Sequence, residues 1–167
     1  MFEDEASFGR ISTPRYCWCE KGIRPRVPCH RIREYRHVYG AVDPISGESC
    51  FFIFSKEDMG SMEYYLEHLS NQYPEERIII VCDGAPWHTS RELYIPENIE
   101  MVFIPPYTPE MNPIEQIWRE IRTKGFKNEI FNSLDDVVDR LCDTLNNLSK
   151  DTVISITQRK WILQCFD

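Results

Sequence analysis

The pattern of apolar and polar residues begins with a short alternating segment, residues 1–6, that predicts a strand. The apolar residues that share the parity of Asp4 are Phe2, Ala6 and Phe8. Side chains of equal parity leave a strand on one face, so Asp4 would project among apolar neighbours. A carboxylate in that position calls for a structural or functional reason.

Four further apolar segments predict strands. Residues 37–42 and 50–54 flank the turn-rich link 43–48, which is typical of an antiparallel hairpin. Residues 77–82 and 100–104 are the other two predicted strands. Residues 77–82 are almost wholly apolar and rich in β-branched side chains, as expected of a central strand buried on both faces.

Apolar residues at helical spacing predict the helices. Residues 58–72 form a packing helix, and a short helical connection is expected between the last two strands. A helix is predicted to start at Asn112, with Asn112 as N-cap and Pro113 in the first turn. Ser133 is expected to cap the next helix, and a last short helix is expected beyond Asp151.

The order of these elements fits an α/β fold. Three strands, a helix, two more strands and carboxyl-terminal helices match an RNase H-like mixed five-stranded sheet flanked by helices. The chain of 167 residues with 42% hydrophobic content suits a single domain, residues 1–167. The pattern does not fix the order of the strands within the sheet.

Three acids stand where a predicted strand or helix begins or ends: Asp4, Asp83 and Glu115. Mg²⁺ prefers oxygen ligands and keeps several waters, so a few carboxylates together with a substrate phosphate can hold it. Two such ions roughly 4 Å apart can activate the attacking oxygen and stabilise the leaving oxygen of a phosphodiester displacement. The three acids therefore suggest a metal-dependent enzyme that cuts nucleic acid.

Each acid also has a plainer explanation. Asp4 could be a surface acid at a strand end, Asp83 could form the turn before Gly84, and Glu115 could belong to a capping box. His88 could contact a phosphate or orient a carboxylate, with capping or packing as the alternative. The occurrence of all three acids in this order of elements is harder to explain by coincidence.

The charge distribution bears on whether nucleic acid is the partner. A net charge of −8 argues at face value against it, because phosphate binding needs Lys and Arg. Residues 10–37, however, contain eight Arg and Lys against two Glu, a net charge of +6 that leaves −14 for the rest. This segment is either a basic arm for DNA or a solvated loop.

The cysteines and the absence of targeting signals indicate the compartment. Seven cysteines at irregular spacing suit reduced thiols better than a disulfide framework. Cys17, Cys19, Cys29 and His30 could in principle hold zinc, but their spacing matches no usual finger. The sequence shows no membrane span and no signal peptide, so we expect a soluble cytoplasmic protein.

Three segments resemble the motifs of the DDE transposases of bacterial insertion sequences in the mariner superfamily. The segments are residues 2–5 (FEDE), residues 81–88 (VCDGAPWH) and residues 104–118 (IPPYTPEMNPIEQIW). The third is the most specific. With the hairpin around residues 39–42, the similarity covers the chain from Asp4 to about Lys124.

The resemblance implies a catalytic domain in which Asp4, Asp83 and Glu115 bind two Mg²⁺ or Mn²⁺ ions. In such enzymes water attacks a phosphodiester at the end of the element, and the freed 3′-hydroxyl then attacks target DNA, typically at a TA dinucleotide. The implied partners are DNA with terminal inverted repeats and a second copy of the chain assembled on that DNA. The basic segment, from about Arg10 to Arg36, stands in the place of a loop that touches DNA across a dimer in mariner relatives.

Members of this family carry an amino-terminal helix-turn-helix region that recognises the inverted repeats, and this chain starts three residues before Asp4. We therefore expect a catalytic domain without that region. The alternative function is an inactive or repurposed transposase fragment that serves as a DNA-binding or dimerisation module. A different RNase H-like nuclease, such as a junction resolvase, would lack the string that leads to Glu115.

Overall fold

A computed structural model describes residues 1–11 and 14–164 of the chain. Five strands form one sheet: β1 (Phe2–Gly9), β2 (Tyr35–Val42), β3 (Ser49–Phe54), β4 (Ile78–Cys82) and β5 (Ile99–Phe103). Five helices accompany it: α1 (Met59–Gln72), α2 (Glu115–Gly125), α3 (Leu134–Asn146), α4 (Lys150–Thr157) and α5 (Lys160–Leu163), with a 3₁₀ turn at Pro109–Met111. The predicted mixed five-stranded sheet flanked by helices is confirmed.

The strand order β3-β2-β1-β4-β5 places β1 at the centre of the sheet. β1 and β2 are antiparallel, as are β2 and β3, which confirms the predicted hairpin. β4 runs parallel to β1 and β5 runs parallel to β4. The centre of the sheet is therefore the junction between an antiparallel half and a parallel half.

The sheet has a different hydrophobic cluster on each face. Ala6 and Phe8 of β1 pack with Trp118 of α2 and with residues of α3 and α4. On the other face, Tyr39 and Ala41 of β2 pack with α1 and with the buried residues of β4. Because side chains alternate along a strand, the acids of β1 are divided between these two environments.

Polar side chains cap the helices that flank the sheet. Asp58 accepts a hydrogen bond from the Ser61 backbone N–H at 2.9 Å at the start of α1. Ser133 and Asp136 form a reciprocal capping box at the start of α3, as the sequence predicts for Ser133. These caps satisfy backbone donors that the first helical turn leaves without partners.

The predicted start of α2 at Asn112 is wrong. The regular helix begins at Glu115, and its N-cap position is Ile114. Asn112 lies in the preceding link, where its side-chain N–H donates to the Glu3 carbonyl at 2.8 Å. Its amide N–H therefore attaches the link to β1, while its Oδ1 accepts from the Ile114 backbone N–H at 3.4 Å in the turn before the helix.

The helix predicted between β4 and β5 is also wrong, because the described residues 83–98 contain turns and no helix. The backbone N–H groups of His88 and Thr89 both donate to the Ala85 carbonyl, at 3.0 and 3.1 Å, so one turn forms and does not continue. Pro86 and Pro96 interrupt this segment, and proline cannot donate to a helical ladder.

β4 is buried on one face only, contrary to the prediction. Ile78, Ile80 and Cys82 are buried against α1, whereas Ile79 on the opposite face is 50% exposed. Ile79 and Val102 contribute to an open groove of about 810 Å³. The helices α2 and α3 cover β1 and β2, and that cover does not extend to this part of the sheet.

The carboxyl-terminal region forms two short helices, α4 and α5, where the pattern predicts one. Trp118 is buried in the core, whereas Trp161 is 40% exposed and meets the edge of Phe2 with ring centroids 6.1 Å apart. Among the described residues, no helix combines the length and apolar character needed to cross a membrane.

The basic segment leaves the sheet between β1 and β2. Its described residues, 14–34, contain no strand or helix and are nearly all exposed. Arg10 pairs with Glu34 at 2.6 Å at its base, and Asn128 exchanges two hydrogen bonds with the Arg15 backbone, at 2.8 and 3.1 Å. The segment is thus an exposed loop. The Arg10–Glu34 ion pair joins its two ends, and Asn128 binds it near its start.

Candidate active site

Asp4 projects from the middle of β1 into the layer between the sheet and α2. The Trp118 indole N–H donates to its Oδ2 at 2.9 Å. This bond fixes the orientation of the carboxylate. The sequence prediction that Asp4 leaves the strand on the apolar face is confirmed by its neighbours Ala6 and Phe8 in the same cluster as Trp118.

Gly40 makes room for this contact. It lies opposite Asp4 in the β1–β2 pair. A Cβ atom at this position would lie 2.7 Å from the Phe51 ring and 2.7 Å from Cη2 of Trp118, which is closer than carbon atoms can approach. The absence of a side chain at Gly40 therefore lets the indole lie against β2 and reach Asp4.

Asp83 follows the end of β4, the strand that runs parallel to β1. Phe2 of β1 pairs with Val81 of β4. Asp4 is two residues beyond Phe2 on β1, and Asp83 is two residues beyond Val81, just past the end of β4. The Asp83 side chain is 53% exposed, and its Oδ1 accepts from the Ala85 backbone N–H at 2.9 Å.

Glu115 is the first residue of α2, where the helix dipole favours a negative charge. The link before it is tied to β1 by the bond from Asn112 to the Glu3 carbonyl. The negative charge of Glu115 is strong enough at Asp4 to raise the pKa of that carboxyl. Glu115 and Asp4 are therefore close enough for their charges to interact.

The environment of Asp4 disfavours its charged form. Burial raises the pKa of Asp4 to about 7 even though the hydrogen bond from Trp118 lowers it, and the charges of Glu115 and Glu5 raise it further. The charged form of the Asp4 carboxyl is therefore favoured only when a cation binds beside it. The three acids offer oxygen donors alone, which fits Mg²⁺ or Mn²⁺.

Arg122 borders this region and was not singled out from the sequence. It lies seven residues after Glu115, and so on the same face of α2. Its guanidinium lies 5.0 Å from the centroid of the Phe8 ring. Burial lowers the pKa of Arg122, while the charges of Glu115 and Asp4 raise it. Its spacing of two helical turns from Glu115 is the sequence feature that could have identified Arg122.

A polar network supports Asp83 from the other face of the sheet. His88 Nδ1 lies 3.0 Å from Asp83 Oδ1, and His88 Nε2 lies 3.0 Å from Glu5 Oε1. The Trp87 indole N–H donates to the same Glu5 oxygen at 2.8 Å. Of the roles left open for His88, the geometry favours orientation of a carboxylate.

The charges in this network shift the pKa values of its members. Burial lowers the pKa of His88, but the hydrogen bond and charge of Glu5 outweigh it and the net shift is upward. Burial raises the pKa of Glu3 well above its usual range, and the charges of Glu5, Asp4 and Asp83 add to this. The sequence interpretation missed Glu3 and Glu5. Because their parity on β1 is opposite to that of Asp4, the sequence could have placed both residues on the opposite face of the sheet, which packs against α1.

Sequence relatives point to one family. The family model described as DDE superfamily endonuclease matches residues 1–138. The uncharacterized protein y4pE/y4sA of Sinorhizobium fredii (strain NBRC 101917 / NGR234) is 30% identical over 130 residues, which cover 76% of this chain and 96% of that protein. The transposable element Tcb2 transposase of Caenorhabditis briggsae is 24% identical over 157 residues, which cover 82% of this chain and 58% of Tcb2.

Solved structures of Mos1 transposase share the fold. The Mos1 paired-end complex with the left transposon end matches 93% of this chain and 50% of its own with a TM-score of 0.71 and 14% identity. The Mos1 mariner paired end complex with Mn matches 92% and 50%, with a TM-score of 0.71 and 15% identity. The chain thus spans about half the length of the Mos1 chains that it matches, and its sheet is RNase H-like, as predicted. Because the family model covers most of the sequence, this chain belongs to the DDE superfamily of endonucleases and carries the DDE transposase catalytic domain that its three motifs resemble.

Proposed function

We propose that this chain cuts DNA strands at the ends of a mobile element and transfers the freed ends to target DNA, using Asp4, Asp83 and Glu115. The observation that carries the proposal is the register of β1 and β4. Asp83 follows the end of β4, the parallel neighbour of β1, and Asp4 lies on β1 close enough to Glu115 at the start of α2 for their charges to interact. The family membership of the chain supports the same reaction class.

Two divalent ions, Mg²⁺ or Mn²⁺, would be held by the three carboxylates and would activate the attacking oxygen and stabilise the leaving oxygen. The chain's own residues keep the carboxylates in place. Trp118 orients Asp4 through its indole N–H, and the Ala85 backbone N–H orients Asp83. Mos1 complexes with Mn and with Mg are among the structures of similar fold.

The proposed partner is DNA, namely the terminal inverted repeats of the element and a target that contains TA, bound by two copies of the chain. The Mos1 structures of similar fold are paired-end and strand transfer complexes. The basic segment supports this partner, because it is exposed and carries the fully exposed aromatic residues Tyr16 and Trp18. Arg and aromatic side chains together suit phosphates and unpaired bases.

A cleavage assay tests the proposal. The protein, supplied with duplexes that carry the ends of its own element, should nick them when Mg²⁺ or Mn²⁺ is present and should not nick them in EDTA. The matched variant is Asp83→Asn, which removes one charge from an exposed loop and should eliminate the metal-dependent product.

Two results would count against the proposal. Equal cleavage by the Asp83→Asn variant would show that another site or a contaminant cuts the DNA. A folded protein that binds the duplex but never cuts it, with either ion, would instead support the alternative of an inactive or repurposed fragment that serves as a DNA-binding or dimerisation module.

The pKa of Asp4 predicts how pH affects the metal-free protein. Because the folded pKa of about 7 exceeds the ordinary pKa of 3.8 for an aspartic acid, the folded state holds a proton that the unfolded state releases, and stability falls as pH rises from about 4 to 7. Asp4→Asn has no such titration. In EDTA, the free energy of unfolding of Asp4→Asn should therefore increase relative to that of the parent by up to about 4 kcal/mol between pH 4 and pH 8.

Urea unfolding at several pH values measures this difference. Asp139→Asn, which changes an exposed acid on α3, is the control and should follow the parent at every pH. A constant offset between Asp4→Asn and the parent would show that Asp4 is not a buried charge in the metal-free protein. Saturating Mg²⁺ should stabilise the parent and leave Asp4→Asn unchanged.

A further inference from the structure

The face of the sheet that packs against α1 contains a second group of metal-ligating side chains. Within the described residues, Glu3, Cys82 and His88 form a set of three whose ligand atoms all lie within 4.8 Å of one another. All three are buried. Glu3 has the opposite parity to Asp4 on β1, so this set lies on the other face of the sheet from Asp4, and its His88 contacts Asp83.

Glu3 is the member of the set that needs an explanation. Its side chain is fully buried, and neither carboxylate oxygen has a hydrogen-bond partner among the described residues. A buried carboxylate without a partner is strongly destabilising when it is ionised. Glu3 must therefore either keep a proton or share its charge with a cation.

The orientation of His88 favours a cation. Its Nε2 lies 3.7 Å from Glu3 Oε2, while its Nδ1 lies 3.0 Å from Asp83 Oδ1. A histidine that ligates a metal usually donates its other ring N–H to a carboxylate or carbonyl. In the ligand form of the ring the proton stays on Nδ1, and Nε2, which lies 3.0 Å from Glu5 Oε1 and 3.7 Å from Glu3 Oε2, offers its lone pair to the cation.

We propose that Glu3, Cys82 and His88 bind one divalent ion of the zinc class behind the sheet. Ligands at 2.0 to 2.3 Å from tetrahedral zinc are separated by roughly 3.3 to 3.8 Å, so the present atoms, all within 4.8 Å of one another, need to close by about 1.5 Å or less. A thiolate and an imidazole select Zn²⁺ over Mg²⁺. Glu5 Oε1, 3.0 Å from His88 Nε2, is placed for the fourth position.

Binding would release the proton of the Cys82 thiol, and any proton on Glu3 or on His88 Nε2, to solvent. No electron transfer is involved. The ion would also keep His88 in the tautomer that donates from Nδ1 to Asp83. That hydrogen bond would fix the orientation of the Asp83 carboxylate. A structural zinc ion and the proposed catalytic ions would then act on opposite sides of the same loop.

The test is zinc retention, which requires no DNA cleavage. Exposed thiols could bind zinc adventitiously, so the parent for this experiment carries serine at the exposed cysteines and at Cys165, which lies outside the described residues; the exposed cysteines are Cys17, Cys19, Cys29 and Cys142. This parent is refolded with ZnSO₄, freed of loose metal by gel filtration and measured by elemental analysis. About one zinc ion per chain is expected.

Two variants in that background localise the ion. Cys82→Ser should lower the zinc content at least about tenfold and remove the sulfur-to-cobalt absorption band of the Co²⁺-refolded protein. Cys50→Ser changes the other buried thiol of the same cluster and should keep both signals. Circular dichroism establishes that each variant is folded.

Glu3→Gln keeps the proposal falsifiable if Cys82→Ser does not fold. Glutamine imitates a protonated glutamate, so a proton-only explanation of Glu3 predicts a parent without zinc and a Glu3→Gln variant of equal thermal stability. The zinc site predicts that the parent melts at a higher temperature with Zn²⁺ than with Mg²⁺ or chelator, and that Glu3→Gln loses this difference. A zinc-free parent, or full zinc content in Cys82→Ser, would overturn the proposal.

Discussion

Replacing Glu115 with glutamine is expected to lower the rate of Mg²⁺-dependent DNA cleavage by about a thousandfold or more. A catalytic ion contributes several kcal/mol to the stabilisation of the transition state, and about 4 kcal/mol corresponds to a factor of about 10³ in rate. Glutamine preserves the shape of the side chain at the start of α2 but removes the charge that attracts the ion. Single-turnover cleavage of pre-nicked and intact element ends measures the effect.

The same variant should not be less stable than the parent without metal. The charge of Glu115 raises the pKa of Asp4, so its removal relieves repulsion in the empty site. Glu120→Gln is the control on the same helix, because Glu120 pairs with Lys124 at 2.8 Å on the surface. If Glu115→Gln and Glu120→Gln cut at the same rate, Glu115 has no part in the reaction.

Replacing Trp118 with alanine is expected to destabilise the protein by about 3 to 5 kcal/mol, the usual cost of removing a buried aromatic side chain. Trp118 is 1% exposed and contacts Phe8 and Phe51 edge-on, with ring centroids 6.3 and 6.0 Å away. Because a domain is stable by only about 5 to 15 kcal/mol, this variant would be close to unfolding. Guanidinium denaturation measures the loss.

Trp118→Phe separates packing from chemistry. Phenylalanine retains most of the apolar contact but has no N–H for Asp4 Oδ2, so the pKa of Asp4 should rise further and the Mg²⁺ concentration needed for half-maximal cleavage at pH 7 should increase. Trp161→Phe, on a half-exposed ring, should leave both stability and the Mg²⁺ requirement unchanged. An unaltered Mg²⁺ requirement in Trp118→Phe would restrict Trp118 to a packing role.

The sequence predicted the parts of the fold that local pattern controls. The alternation around Asp4 identified β1 and the face that carries the acid, and Ser133 identified the start of α3, because parity and capping are properties of adjacent residues. The string before Glu115 identified the family. These are signals that a single chain displays without its tertiary contacts.

Other features depend on residues that are distant in the sequence. The bond from Asn112 to the Glu3 carbonyl joins positions 109 residues apart, so the side chain that looked like an N-cap could not be recognised as a tether. The exposure of Ile79 depends on how far the helices reach across the sheet. The contact of His88 with both Asp83 and Glu5 depends on the strand order, which the pattern left open.

The register of β1 has a consequence for how this domain tolerates change. Consecutive acids of this strand have different destinations, since Asp4 meets Trp118 while Glu3 and Glu5 meet the α1 side. A slip of one residue against β2 would move each of these side chains to the opposite face of the sheet. A glutamate, which is longer than aspartate, would then lie beside the Trp118 indole in place of Asp4. Insertions and deletions in the first nine residues should therefore be eliminated by selection even where every individual side chain could be substituted.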